Sequence, residues 1–183
     1  MAIKRYWARR SFTQLSWLLL ALLLSGCFGE VEGPQEPKWD RDACERCRMV
    51  LSDRPFAAQI HYLPEGKKRT QIAWFDDIGC ATLWLEDKPW KDAAETKIWV
   101  ADHRTREWID ARTAWYVPVD VSPMAYMLGA QLSKTADALD FAGAIRQVEQ
   151  IEARNQDHSR HLIERVRQQT GQTEPVDSLP RIE

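Results

Sequence analysis

Cys27 decides how much of this chain can enter a fold. It closes Leu24-Ser25-Gly26-Cys27, directly behind the apolar run Leu18-Leu19-Leu20-Ala21-Leu22-Leu23-Leu24. Ahead of that run lie Lys4, Arg5, Arg9 and Arg10, with no acidic residue among them. A hydrocarbon core needs about 20 apolar residues in helix, so the run is too short to span a membrane. Together these parts have the form of a bacterial lipoprotein signal peptide ending in a lipobox. Small residues let the chain lie extended in the protease, and the thiol is the nucleophile that accepts diacylglycerol. Residues 1–26 are therefore expected to be removed, leaving a chain held by lipid at Cys27 on the periplasmic face of the cell envelope. Arg9-Arg10-Ser11-Phe12 is an incomplete twin-arginine pattern, and the general secretory route is favoured. Phe28 stands where a signal for inner-membrane retention carries Asp, which favours the outer membrane.

The chain has 183 residues, enough after loss of the signal for one ordinary domain or two small ones. Removing the four basic residues of the signal moves the formal net charge of −2 further negative. Such an acidic surface excludes nucleic acid as a partner and offers no basic patch to anionic lipid. Seven tryptophans follow the signal, Trp39, Trp74, Trp84, Trp90, Trp99, Trp108 and Trp115. They are expected in the core or as shields around a cofactor. The cysteines say more. With Cys27 taken by lipid, Cys44, Cys47 and Cys80 remain, and an odd set cannot pair fully within one chain in an oxidising compartment. At least one of these thiols must be free, metal-bound or joined to another molecule.

Residues 27–43 contain Gly29, Gly33, Pro34 and Pro37 among acidic residues, with no apolar period, and read as a flexible tether. Folded structure is expected over 44–150. Phe56–Tyr62 and Arg69–Phe75 alternate as strands joined through Pro64-Glu65-Gly66. Asp76 or Asp77 can cap a short helix bearing Ile78, Leu83, Trp84 and Leu85. Further strands are expected at Lys97–Ala101, near Trp108-Ile109 and over Thr113–Val119, with Met124–Leu132 leaning to strand. From about Ser133, the residues Ala136, Leu139, Ala142, Ile145, Val148 and Ile151 recur at helical spacing and predict a long amphipathic helix. Beyond Arg154 the chain becomes polar, so 151–183 is expected as a helical or disordered tail. Hairpins followed by helices place the domain in the α+β class.

Cys44-Glu45-Arg46-Cys47-Arg48-Met49 concentrates the chemistry. Two thiols three residues apart can converge on one ion, and Met49 shares the face of Cys47 if the chain is extended there. Thiolate and thioether are soft donors that suit Cu(I), whereas zinc seldom takes methionine. Ser122-Pro123-Met124-Ala125-Tyr126-Met127 carries two more thioethers in a segment fixed by proline. A lone methionine is more often a gap-filling core residue. Its coincidence with the cysteine pair favours Met49 and Met124 as ligands, Met127 less so. Other readings remain open. A redox pair of the thioredoxin kind would follow a strand, and Trp39–Ala43 is no convincing strand. A c-type haem site needs His where Arg48 stands. Zinc would need Cys80 with His61 or His103 as a second pair. A structural disulfide from Cys44 or Cys47 to Cys80 would still leave one thiol beside Met49. Cys80 itself, at helical spacing from Trp84, reads as a small buried core residue; His61 and His103 read as structural or solvated. No set of residues suggests a catalytic site, so an enzyme is not expected.

These pieces, in this order, resemble the NosL family of nitrous oxide reductase accessory lipoproteins. The features that carry the resemblance are the lipobox, Cys44-x-x-Cys47-x-Met49, Phe56-Ala57-Ala58-Gln59-Ile60, Trp74-Phe75-Asp76-Asp77, Ser122-Pro123-Met124-Ala125-Tyr126 and Ala138-Leu139-Asp140-Phe141-Ala142. They span roughly residues 44–150. The resemblance implies a Cu(I)-binding metallochaperone that delivers copper to nitrous oxide reductase during its maturation in denitrification. Carried over by position, it makes Cys47, Met49 and Met124 the leading ligands and Cys44 a supporting one. It also implies two small ββαβ-like units of mostly antiparallel strands, plus the C-terminal helix. The alternative is an envelope thiol-disulfide oxidoreductase using Cys44 and Cys47. The family pattern has Gly before the first Met and after the second, where this chain has Arg48 and Ala125. Gly permits φ > 0, which Arg and Ala adopt only at a cost. One expectation is testable at once: Cys27→Ser should abolish incorporation of labelled palmitate and release the protein from the membrane fraction. Retained label in that variant would place the anchor elsewhere.

Overall fold

The computed structural model describes residues 33–170. The expected signal peptide, Cys27 and residues 171–183 lie outside the described residues. Six strands and two helices follow one another. They are β1 (Ala58–Tyr62), β2 (Gln71–Phe75), α1 (Ile78–Glu86), β3 (Lys97–Ala101), β4 (Trp108–Asp110), β5 (Trp115–Pro118), β6 (Leu128–Gln131) and α2 (Phe141–Thr170). Strands β2-β1-β3-β4, in that spatial order, form one antiparallel sheet, and β5-β6 form a second. This is the α+β class. The first unit, β1-β2-α1-β3, has the ββαβ order with β4 added at its edge. The second runs β5-β6-α2. A parallel bridge between Asp102 and Ala130 links the two sheets.

Alternation explains the core. In register, Ala58 faces Phe75 and Val100, and Ile60 faces Ala73 and Ile98. These side chains share one face of the sheet, all are buried, and they join Cys80, Ala81 and Leu85 of α1 with Ala144 and Val148 of α2 in one cluster. Such a core removes small and branched apolar groups from water at about 25 cal/mol per Å². The tryptophans play a different part from that expected. All seven are half-buried. Trp84 and Trp90 border the core, Trp84 against Phe75, and both meet Tyr62, whose ring stacks on Trp90 at 4.1 Å.

The opposite face of the sheet carries Gln59 and His61, both buried. Buried polar groups need partners, and the segment after Gly33 supplies them. The Gln35 N–H donates to Gln59 Oε1, and Gln59 Nε2 donates back to the Gln35 carbonyl, each at 2.9 Å. Glu36 accepts from the indoles of Trp39 (3.0 Å) and Trp108 (2.7 Å). Part of the segment expected as tether thus lies on the sheet, held by polar contacts that leave no apolar period.

Two boundaries differ from the sequence pattern. Helix α2 begins at Phe141, not near Ser133, because Asp140 Oδ1 accepts from the Gly143 N–H at 2.7 Å and caps the first turn. Leu139, on the helical period, instead exchanges two main-chain hydrogen bonds of 2.8 Å with Tyr116. The strand expected over Met124–Leu132 is confined to Leu128–Gln131, and Met124 sits in a turn. Beyond Arg154, where a helical or disordered tail is expected, α2 continues to Thr170, with Leu162, Ile163 and Val166 exposed. No helix among the described residues is long and apolar enough to cross a membrane.

One close approach positions everything that follows. A Cβ built on Gly79 would stand 2.2 Å from Tyr126 Cδ2, so only glycine lets the 122–127 segment lie against the first turn of α1. Gly79→Ala should therefore destabilise the protein by about 2 kcal/mol through overpacking. A urea melt checks this, and an unchanged midpoint would mean the ring moves aside freely.

Candidate metal centre

The cysteine pair sits in a tight hairpin ahead of β1. Ala43 bridges Val50, the Cys44 N–H donates to the Met49 carbonyl (2.8 Å), and the Arg48 N–H donates to the Cys44 carbonyl (3.0 Å). The Glu45 N–H donates to the Trp74 carbonyl at 2.8 Å, which pins the loop to β2. At the end of β2 the chain turns into α1. There Asp77 caps the helix, its Oδ1 accepting from the Cys80 N–H at 2.9 Å. The cap places Cys80 in the first helical turn, facing the hairpin.

The Sγ atoms of Cys44, Cys47 and Cys80 lie within 4.8 Å of one another, and all three are free thiols. Three sulfurs bound to one ion at about 2.3 Å stand roughly 3.8–4.0 Å apart, so slight contraction would let them share it. Among the described residues no other group of three or more His, Cys, Asp or Glu converges in this way. Cys44 and Cys80 are buried, and Cys47 is half-buried.

The hydrogen bonds divide the thiols into one acceptor and two donors. The Cys80 thiol, with help from N–H groups including that of Cys47 (Sγ to N 3.5 Å), pulls Cys44 down to about 4 against the opposing effect of burial. Donation to Cys44 and burial push Cys80 up. Burial first, then donation to Asp76 Oδ2 at 2.7 Å, pushes Cys47 up to about 12. Asp76 and Asp77 are each raised to about 6, chiefly by burial. A metal binds the thiolate forms, so loading releases protons. Asp76 is placed to receive the one on Cys47.

The methionines lie on segments joined to this cluster through the main chain and Asp77. Met49 follows Cys47 in the hairpin and is 46 % exposed. Met124 is half-buried against the core, and its N–H donates to Asp77 Oδ2 at 3.2 Å. Asp77 thus joins the Met124 turn to the helix start that carries Cys80. Met127 is exposed, its N–H donating to Ser122 Oγ at 3.0 Å. His61 hydrogen-bonds to Gln59 at 2.8 Å and His103 to the Ala130 carbonyl at 2.8 Å, and neither joins the cluster. The structure gives Cys80 a larger part than its apolar helical spacing suggests. The signal for it was the odd cysteine count together with a helix cap three residues ahead. Asp76 had no such signal, since paired aspartates at a strand end read equally well as alternative caps.

A model of the NosL family matches residues 38–153. The chain belongs to the NosL family. Among solved structures it is similar to the crystal structure of the copper chaperone NosL from Shewanella denitrificans, at 18 % identity over 64 % of this chain and 87 % of that one, with a TM-score of 0.44. No curated protein matches the sequence.

Both departures from the NosL pattern fall at left-handed backbone. Arg48 has φ 65° and Ala125 has φ 57°. The backbone keeps the conformation glycine would favour, at roughly 1 kcal/mol for each residue. Arg48 recovers some of this by pairing with Glu45 at 3.0 Å. The charge division gives the prediction here. In reduced, metal-free protein, the ultraviolet absorbance of one thiolate should be present at neutral pH and vanish as pH falls through about 4. Absorbance that grows in only near pH 9.0, the ordinary thiol value, would contradict the arrangement.

Proposed function

We propose that this protein is a lipid-anchored Cu(I) carrier of the cell envelope, a metallochaperone and not an enzyme, which delivers copper to nitrous oxide reductase during its maturation. The observation that carries the reading is the convergence of three sulfur atoms within 4.8 Å, bordered by Met49 and by the Met124 turn. Soft, polarisable donors suit a closed-shell monovalent ion better than any hard cation. Membership of the NosL family supports copper as the cargo and the reductase as the acceptor. The signal-like N-terminus supports lipid attachment at Cys27, with the outer membrane favoured.

Cys47, Met49, Met124 and Cys44 are the proposed ligands, and the geometry adds Cys80. The arrangement suits transfer. Cys44 and Cys80 form a buried floor, while half-buried Cys47 and exposed Met49 form the side open to solvent. An acceptor's sulfur can enter on that side, share the ion, and draw it away as the outer donors let go. A membrane tether would confine the carrier to a thin layer and raise its effective concentration for partners there. A domain spanning 34–150 with a helical extension from 151 fits this use.

The oxidoreductase reading draws on the lowered Cys44 thiol, since a thiolate is the attacking form. Cys44 is 0 % exposed, however, and the accessible Cys47 is the protonated member. That is the reverse of what attack on a protein disulfide needs.

Protein extracted from its membrane under anaerobic, reducing conditions should bind one Cu(I) per chain. Cys47→Ser, Cys80→Ser and Met49→Ala should each weaken binding about tenfold or more, equal to about 1.4 kcal/mol. Met127→Ala should change little. Competition against a Cu(I) chelator measures this, and full affinity after loss of Cys47 and Met49 together would refute the carrier reading.

A further inference from the structure

The proposed sulfur donors come from three segments, and one carboxylate touches two of them, the Cys44–Cys47 hairpin and the Met124 segment. Arg46, inside the cysteine pair, donates from Nη2 to Glu152 Oε1 at 2.7 Å. The Tyr126 hydroxyl, two residues after Met124, donates to Glu152 Oε2 at 3.0 Å. Arg46 Nη1 also reaches the Tyr126 oxygen at 3.4 Å, closing a triangle. One turn earlier on α2, Gln147 Nε2 donates to the Tyr126 carbonyl at 3.0 Å. We propose that Glu152 is a positioning residue that ties the Cys44–Cys47 hairpin to the Met124 segment and so sets how fast a bound soft ion leaves.

The physical reasoning runs through geometry and charge. The Arg46 and Glu152 side chains are 28 % and 23 % exposed, more sheltered than the chain's other ion pairs among the described residues. Exposed pairs contribute little, but hydrogen bonds with an ionised partner in a sheltered place are among the stronger ones. The two oxygens of Glu152 are divided between the two segments, so a displacement of either is opposed by the same side chain. Among the described residues, Glu152 forms no hydrogen bond to a sulfur atom. Its effect on the ion can only be indirect, through keeping the donors from departing one at a time. Local opening of a loop is a common limit on ligand release. The positioning of the hairpin stands on the contacts alone, whereas its consequence for the ion rests on the Cu(I) reading above.

The test uses membrane-extracted protein with Glu152→Gln, which removes the charge and keeps the shape, and Tyr126→Phe, which removes only the hydroxyl. Two quantities are read. Cu(I) transfer to a competing chelator should be about tenfold faster from Glu152→Gln and faster to a lesser degree from Tyr126→Phe, with unchanged stoichiometry. In metal-free protein, Cys47 should react faster with an aromatic disulfide reagent in both variants, by more than the accompanying loss of stability, read from the melting temperature, accounts for. If both rates match the parent in both variants, Glu152 positions nothing and the inference is overturned. It is equally overturned if the rates rise only in step with lost stability, as a structural support would require. If the parent protein binds no Cu(I), the carrier reading fails, and Cys47 reactivity alone then decides: faster reaction upholds the clamp and an unchanged rate overturns it.

Discussion

Cys44 is fully buried, and an anion held away from water persists only where hydrogen-bond donors converge on it. Here those donors are the Cys80 thiol and N–H groups of its own hairpin and of the β2–α1 junction. The same contacts set the first turn of α1 against the hairpin, with the three Sγ atoms within 4.8 Å of one another. Asp77 must cap the helix so that Cys80 faces the right way. Glu45 must hold the hairpin to β2 through the Trp74 carbonyl. Gly79 must lack a Cβ so that Tyr126 can close the remaining side. Each contact is modest alone, and together they fix three sulfurs from two elements in one place.

The left-handed residues show how firmly the backbone is determined. Arg48 closes the hairpin between Cys47 and Met49, and Ala125 closes the turn that begins at Ser122, whose carbonyl accepts from the Ala125 N–H at 3.0 Å. Neither residue prefers this conformation. The surrounding hydrogen bonds override the local preference, as tertiary structure commonly does at functional turns. Arg48 and Ala125, where the resemblance implies glycine, thus hold left-handed backbone at a local cost.

Much of the fold could be read from the sequence, since strand alternation in β1, β2 and β3 and the aspartate cap of α1 are strong local signals. What escaped were features set by distant partners. The start of α2 depended on whether Asp140 or an earlier residue would cap, and Leu139 was drawn from the helical period by pairing with Tyr116. The segment carrying Gln35 and Glu36 looked like linker because its bonds are polar and its partners, Gln59 and Trp108, lie far along the chain. Around the metal centre, the Cys44–Cys47 hairpin was marked by spacing. Cys80 was disguised by its apolar helical neighbourhood, since spacing along a helix says which face a residue occupies but not what waits opposite. Glu152 carried no mark, because an acidic residue on a polar stretch of helix gives no hint of a partner in another segment.

The hairpin, the capped helix and the Met124 turn are held by main-chain hydrogen bonds, by the side chains of Asp77 and Ser122, and by a core of apolar side chains. A zinc finger behaves in the opposite way, because its fold is assembled by the ion and collapses without it. On the carrier reading proposed above, a scaffold held by such contacts would draw little on an ion's binding energy for its own ordering. A molecule that released its ion would then keep the shape that accepts another, and one copy would serve repeatedly without a refolding step.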